Sequence, residues 1–266
     1  MTGRMLETLG NRMVAFLERP IKGYQPATPP DAEALAFSLR PADIILVEGN
    51  SHVSSVIKYL TQSTWSHAAM YVGPVRDKNT PEGEPHVLVE ANLGEGVVTA
   101  ALSKYSDAHV RVCRPIGINV QDRAKVVAYM LEHVGLDYDV KNITDMLRFL
   151  VPLPIPSRWR RRLIAMGSGE PTRTICSTLI AQAFENVRYP ILPRIEAKSE
   201  FSRQEILHIR HHSLFTPRDF DLSPYFAVVK PTIERGFDYQ AMVWGDHVEA
   251  AGTKPTASGK ALGALP

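Results

Sequence analysis

Two short segments, typical of β-strands whose side chains alternate between an apolar face and the opposite face, are the feature that most constrains the fold of this chain. Residues 65–73 read W-S-H-A-A-M-Y-V-G, and residues 86–92 read H-V-L-V-E-A-N. Successive side chains of a β-strand point to opposite faces, so Ala68, Met70 and Val72 share one apolar face. The stretch between the segments, R-D-K-N-T-P-E-G-E-P, is rich in turn-forming residues. The pattern predicts an antiparallel hairpin with a long loop and one face on the core.

The same two segments carry a histidine and an acid. His67 lies on the face opposite Met70, and Glu90 interrupts an otherwise apolar strand. A buried acid needs a partner, and paired strands would let Glu90 meet the His67 ring and fix its orientation. Taken singly, His67 is more typical of a core histidine, and Glu90 of a solvated edge carboxylate; taken together with Cys176, they are not.

Cys176 lies in a third informative segment, T-R-T-I-C-S-T-L-I-A-Q-A-F. Its apolar residues recur at helical spacing, and Thr172 or Thr174 can cap the helix start. A thiol in the first turn lies near unpaired N–H groups and the positive end of the helix dipole, which favour the thiolate. The alternative is a small buried hydrophobic residue. With His67 and Glu90, Cys176 completes the Cys–His–acid set of a cysteine nucleophile.

Other segments fill in the elements around these residues. Strands are predicted at 41–49, 109–115 and 225–230, and Cys113 is expected to be a packing residue of the second of these. Helices are predicted at 50–63, capped by Asn50 or Ser51, and at 122–135, ended by Gly135. We divide the chain into an N-terminal amphipathic helix and linker (1–34), one domain (35–248) with an insertion at about 141–170, and a disordered tail (249–266).

Composition excludes some classes of function. The chain has 266 residues, 44% of them hydrophobic, which suffices for a large core. Thirty basic and 28 acidic residues are too balanced for general nucleic-acid binding, so we expect no nucleic-acid partner. Two cysteines fit a reducing compartment, and the N-terminus lacks the apolar core of a signal peptide. We therefore expect a cytoplasmic protein, with peripheral membrane contact left open.

The insertion supplies the clue to membrane contact. An apolar stretch at 149–155 precedes a basic and aromatic cluster, which suits an anionic membrane surface or, equally, a lid with a solvated basic flank. This cluster consists of Arg158, Trp159, Arg160, Arg161 and Arg162. The histidines at 208, 211 and 212 raise a metal-dependent hydrolase as a further alternative, but no ligand cluster accompanies them, and we expect no metal and no cofactor.

From about Ala42 to Lys230 the order of these motifs resembles the circularly permuted branch of the NlpC-type papain-like cysteine hydrolases, the YiiX/YebB-like family. The histidine strand precedes the cysteine helix, the reverse of the order in papain. The resemblance implies an α+β, papain-like (NlpC-type), circularly permuted fold, with an antiparallel sheet packed against helices. It also implies Cys176 as nucleophile, His67 as base and acid, and Glu90 as the residue that orients His67. Family members often have an acid two positions after the cysteine, where this chain has Thr178.

The resemblance also indicates where a cleft would lie. It places the loop with Tyr138 at the border of the cleft, and we add Trp65, Ser66 and Ser177, which adjoin His67 or Cys176 in the sequence, as candidate cleft residues. The backbone N–H of Cys176 is the simplest donor for an oxyanion hole.

The predicted function is hydrolysis or transfer of an acyl group through a cysteinyl acyl-enzyme. Amide and peptide substrates come first, and ester or thioester substrates second. Two alternatives stay open: a lipid or thioester acyl hydrolase or transferase at a membrane surface, which permuted relatives resembling the lecithin:retinol acyltransferase group suggest, and a peptide- or lipid-binding module without turnover. The sequence specifies no oligomeric state.

Overall fold

The computed structural model describes residues 19–21, 31–92, 95–136, 175–192, 194–197, 205–208 and 215–236, together with residues 238 and 240. Its helices are α1 (Ala32–Ser38), α2 (His52–Thr61), α3 (Val120–Glu132), α4 (Ile175–Asn186), α5 (Pro217–Leu222) and α6 (Pro231–Glu234). Its strands are β1 (Ile44–Glu48), β2 (His67–Tyr71), β3 (His86–Asn92), β4 (Gly96–Ala101), β5 (His109–Pro115), β6 (Arg194–Ala197), β7 (Glu205–His208) and β8 (Phe226–Val229).

A six-stranded antiparallel sheet forms the centre of the structure, with the strand order β4-β3-β2-β1-β5-β8. The predicted hairpin is present as β2 and β3, and Ala69 pairs directly with Glu90. Central β1 pairs with β2 on one side and β5 on the other, so its side chains Ile44 to Val47 are buried on both faces. Strands β6 and β7 form a separate two-stranded sheet.

Each face of the large sheet has its own core. Alternation along β1 sends Ile44 and Leu46 to one core, and Ile45 and Val47 to the other. Helices α3 and α4 cover the first face, and α1 covers the second with Leu35 and Leu39. The helix residues buried on the first face include Val126, Met130, Leu179, Ile180, Ala183 and Phe184. The structure is thus a mixed α/β fold with an antiparallel sheet packed against helices.

Capping residues and a glycine in the sequence determine where several helices begin or end. Ser51, not Asn50, caps α2, because its Oγ accepts a hydrogen bond from the backbone N of Ser54 at 3.2 Å. Gly135 follows α3 with φ +90°, a conformation that side chains disfavour. Helix α1, capped by Asp31, was not predicted, and the predicted boundary between residues 34 and 35 falls inside it.

Strand β4 was not predicted, because its burial does not alternate. Val97 and Ala100 are buried but lie in different cores, and both central residues of the strand are half-buried. A period of two is the signal that reveals a strand in sequence, and G-V-V-T-A-A lacks it. The strand predicted at 109–115 is therefore β5, and the unpredicted β4 precedes it in the chain.

Among the described helices, none has both the length and the apolar character needed to cross a membrane. The predicted N-terminal amphipathic helix, the whole insertion at about 141–170 and the predicted disordered tail lie outside the described residues.

Candidate active site

Cys176 is the second residue of α4 and is buried, with 4% of its surface exposed. The helical spacing predicted for this segment is confirmed, since Leu179, Ile180 and Phe184 pack on the sheet. The first four N–H groups of a helix have no partner within it, so the backbone N–H of Cys176 belongs to this unpaired set. The sulfur therefore lies where the helix backbone favours a negative charge.

His67 is the first residue of β2, and its ring joins the thiol to the acid. Its Nε2 lies 3.1 Å from Oε2 of Glu90, and its ring also hydrogen-bonds the side chain of Cys176. Because Nε2 faces the carboxylate, Nδ1 is the nitrogen left for the sulfur. Ala69, not His67, is directly opposite Glu90, so the histidine and the acid form a diagonal pair across the two strands.

The environment of the His67 ring favours its charged form. Burial by itself lowers the pKa of His67, but the charges and hydrogen bonds of Cys176 and Glu90 together outweigh it. Together they raise the pKa from the ordinary 6.5 to about 10. An imidazolium beside a thiolate is the arrangement that activates a cysteine nucleophile at neutral pH.

Glu90 is held by four donors in a fully buried position. In addition to His67, Oε2 accepts a hydrogen bond from the hydroxyl of Tyr105, and Oε1 accepts from Nζ of Lys104 and, at 3.1 Å, from Nδ2 of Asn92. Burial raises the pKa of Glu90, but His67 and Lys104 overcome this effect and hold the pKa well below its ordinary value. The carboxylate therefore stays ionised, and its orientation is fixed from several sides.

Sequence reasoning missed Lys104 and Tyr105. They lie in the 3-10 helix Leu102–Tyr105 that follows β4, and no periodicity marks them as partners of Glu90. Burial and the charges of Glu90 and Cys176 raise the pKa of Tyr105 well above its ordinary value, so its hydroxyl remains a donor. Asn92 was recognisable, because it lies two residues after Glu90 and shares its face of β3.

Three residues predicted for the cleft make structural contacts. The indole Nε1 of Trp65 donates to Oδ2 of Asp221 at 3.0 Å, and Oγ of Ser66 accepts from the backbone N of Gly49 at 2.9 Å. Ser177 is fully buried and donates to the carbonyl oxygen of Phe215 at 2.7 Å. These contacts hold the elements around the site together, and a role in the cleft stays a prediction.

The remaining candidates fall mostly outside the described residues. Tyr138 and the basic cluster Arg158, Trp159, Arg160, Arg161 and Arg162 lie there, as do two of the three histidines of the alternative metal site. His208 is part of β7. The choice between a lid and a membrane contact therefore stays open.

The described part of the chain offers no metal centre: no three or more His, Cys, Asp or Glu side chains are grouped there so that they could hold a metal ion. Cys113 lies within β5 and is fully buried, as expected of a packing residue. Burial raises the pKa of its thiol to about 12, which keeps the thiol protonated and unreactive.

Comparison with solved structures finds the chain similar to one described as the crystal structure of metalloprotein YiiX from Escherichia coli O157:H7. The sequences are 16% identical, the match covers 72% of this chain and 96% of that chain, and the TM-score is 0.43. No protein-family model and no curated protein matches the chain.

Proposed function

We propose that the protein is a cysteine hydrolase or acyltransferase that works through a Cys176 acyl-enzyme. The observation that carries the proposal is the hydrogen-bonded series Cys176–His67–Glu90, in which the pKa of the histidine rises to about 10. The position of the histidine strand ahead of the cysteine helix supports the circularly permuted NlpC-type version of the papain-like fold.

The first half of the reaction forms a thioester. The thiolate of Cys176 attacks the carbonyl carbon of the substrate, and the backbone N–H of Cys176 donates to the developing oxyanion. The tetrahedral intermediate then collapses, and the bond to the leaving group breaks. The leaving amine or alcohol takes its proton from the imidazolium of His67, so that the neutral ring remains.

The second half returns the enzyme to its starting state. Neutral His67 removes a proton from water or from another acceptor, which attacks the thioester carbonyl. The carbon–sulfur bond breaks, the thiolate is restored, and the imidazolium again balances its charge. Glu90 takes no proton in either half, because its low pKa keeps it ionised and its four donors fix its position.

Of the acyl donors open to this chemistry, amides and peptides are the first choice. An amine leaves a tetrahedral intermediate only when it is protonated, and the imidazolium of His67 is the group that would supply that proton. Esters and thioesters have better leaving groups and need this help less.

Alkylation with iodoacetamide tests whether Cys176 is a nucleophile. At about pH 6 a free thiol is protonated, whereas a thiolate paired with an imidazolium reacts. We expect native protein to be alkylated at Cys176 faster than urea-unfolded protein, and His67→Ala to lose this excess rate. Cys113→Ala is the matched control and should react as the wild type does, because the Cys113 thiol is buried with a pKa raised to about 12.

Turnover is tested with p-nitrophenyl acetate and with an N-acetyl amino-acid anilide. Mass spectrometry of the intact protein should detect one acyl group on the wild type, acetyl from the ester or N-acetylaminoacyl from the anilide, and none on Cys176→Ala. Faster release of the acyl group on addition of an amine identifies a transferase. An alkylation rate equal to that of the unfolded protein, or one indifferent to His67, would refute the nucleophile. A reactive Cys176 that neither substrate acylates would favour the binding module.

A further inference from the structure

A pocket of about 540 Å³ lies beside the loop that leads into β2. The end of α2, the start of β5 and helix α5 converge on it, and no residue of the Cys176–His67–Glu90 series lines it. The residues that carry its chemistry are Lys58, Trp65, His109, Arg111, Arg218 and Asp221.

The walls of this pocket carry an excess of positive charge. Lys58, Arg111 and Arg218 are the lysine and arginine residues of the lining, and Asp221 is the single carboxylate among the lining residues. Glu48, which lies behind the lining, offsets part of this charge, with Oε1 3.4 Å from Nζ of Lys58 and Oε2 3.1 Å from Nδ1 of His109. Three basic side chains against these two carboxylates leave an excess of one positive charge, which an anion would complement.

Arg111 is held in place before any ligand arrives. Its Nη1 donates to Oδ1 of Asp221 at 2.7 Å, and its guanidinium lies over the ring of Trp65, 5.0 Å from the centroid. Trp65, only 2% exposed, donates to the other oxygen of the same carboxylate. A charged fork fixed in this way loses little entropy when it binds a ligand.

A second guanidinium approaches from α5. Nη1 of Arg218 donates to the carbonyl oxygen of Thr61 at 2.9 Å, which ties the helix to the end of α2. Within the described residues, the hydrogen bonds found for Arg111 and Arg218 involve only Nη1 of each, so donors remain on Nε and Nη2. Paired guanidinium forks suit the tetrahedral oxygens of phosphate, to which arginine binds in a bidentate manner.

We propose that this pocket binds a phosphate group, either free phosphate or the head of a phosphate monoester. The volume exceeds the need of a single phosphate and leaves room for an organic portion. Leu222, 54% exposed and part of the lining, offers that portion an apolar surface.

Nuclear magnetic resonance tests the site directly. The indole N–H signal of Trp65 is the reporter, because this group shares Asp221 with Arg111. Substituting phenylalanine for the other two tryptophans, Trp159 and Trp244, assigns the signal. Sodium phosphate is titrated at constant ionic strength against sodium chloride, and phenyl phosphate is titrated in parallel.

We expect a saturable shift of the Trp65 signal with phosphate. Arg218→Gln, which leaves the bonds between Asp221, Arg111 and Trp65 in place, should weaken binding by roughly tenfold or more, the loss expected for one hydrogen bond between charged groups. Arg76→Gln, an exposed arginine in the β2–β3 loop, is the matched control and should bind as the wild type does. Cys176→Ala should also keep full affinity, because the site is independent of the proposed chemistry.

The two probes distinguish the sources of phosphate. Tighter binding of phenyl phosphate identifies a monoester site, and equal binding identifies a site for free phosphate. No saturable shift with either probe, or unchanged affinity in Arg218→Gln, would overturn the proposal.

Discussion

Glu90 is the residue on which the proposed chemistry most depends, although it touches no reacting atom. Its four donors leave the carboxylate one orientation, and that orientation fixes the His67 ring by the contact at Nε2. Lys104 and Tyr105 therefore position His67 indirectly, because they fix the carboxylate of Glu90, which in turn orients the His67 ring. The same carboxylate supplies part of the charge that keeps the imidazolium protonated.

Replacing Glu90 with glutamine should lower the pKa of His67. The substitution keeps the size of the side chain but removes the negative charge, one of the causes that raise this pKa to about 10. In the wild type the ring should stay charged through neutral pH and lose its proton near pH 10, whereas in Glu90→Gln it should lose it at lower pH. The imidazole carbon resonances of His67, followed against pH, measure the difference.

Glu48 offers a matched control for this experiment. It also accepts contacts from a histidine and a lysine, His109 and Lys58, on another part of the sheet. Glu48→Gln should leave the titration of His67 unchanged. The same titration curve in wild type and Glu90→Gln would mean that Glu90 has no electrostatic role.

At the scale of elements, the site depends on where α4 begins. The helix must bring Cys176 to the start of β2, and the cysteine lies only one residue inside the helix. Ser177, the next residue, ties this first turn to the segment before α5 by its bond to the Phe215 carbonyl. The apolar residues further along α4 bind the helix to the sheet but do not fix its first turn.

Replacing Ser177 with alanine should therefore destabilise the fold. The buried Phe215 carbonyl would lose its donor, at a cost of about 1–3 kcal/mol in the free energy of unfolding. Urea unfolding measures this cost as a lower midpoint. Ser103→Ala, at an exposed position in the 3-10 helix, should change the midpoint little. A Ser177→Ala midpoint equal to that of the wild type would contradict a tethering role.

At the scale of the whole molecule, we expect the candidate site to contribute to stability in a pH-dependent way. The pKa of Glu90 is lower in the folded protein than its ordinary 4.5, so the ionised carboxylate stabilises the fold above pH 4.5. This contribution is lost as the pH falls from 4.5 toward the lowered value. The contribution of Asp43 to the pH dependence of stability has the opposite sign. Burial raises the pKa of its carboxyl, and the opposing effect of Arg114 is smaller.

The difference in unfolding free energy between wild type and Glu90→Gln should therefore narrow as the pH falls below 4.5. Asp43 is present in both proteins, so its contribution cancels in the difference. Urea unfolding of the two proteins at several pH values between 7 and 3 measures it. A difference that stays constant over this range would show that the Glu90 carboxyl is not specially stabilised in its ionised form.

Local hydrophobic patterns in the sequence predicted many of the helices and strands of the fold. The alternation in 65–73 and 86–92 predicted β2 and β3, and helical spacing predicted α2, α3 and α4. These signals are readable because a strand repeats every two residues and a helix every 3.6, whatever the rest of the chain does. Strand β4 escaped prediction because the apolar residues of G-V-V-T-A-A follow neither period, and its two central residues are only half-buried.

The sequence by itself determined which residue types were available for chemistry and which elements carry them, namely Cys176 at a helix start and His67 and Glu90 on neighbouring strands. Only the tertiary structure decided what meets them. Strand register made His67 and Glu90 a diagonal pair. Tertiary packing brought Lys104 and Tyr105 into contact with Glu90, and Asp221 into contact with Trp65, which lies 156 residues away in the sequence. Periodicity reports the face on which a side chain lies, whereas contacts between distant segments depend on how the whole chain packs.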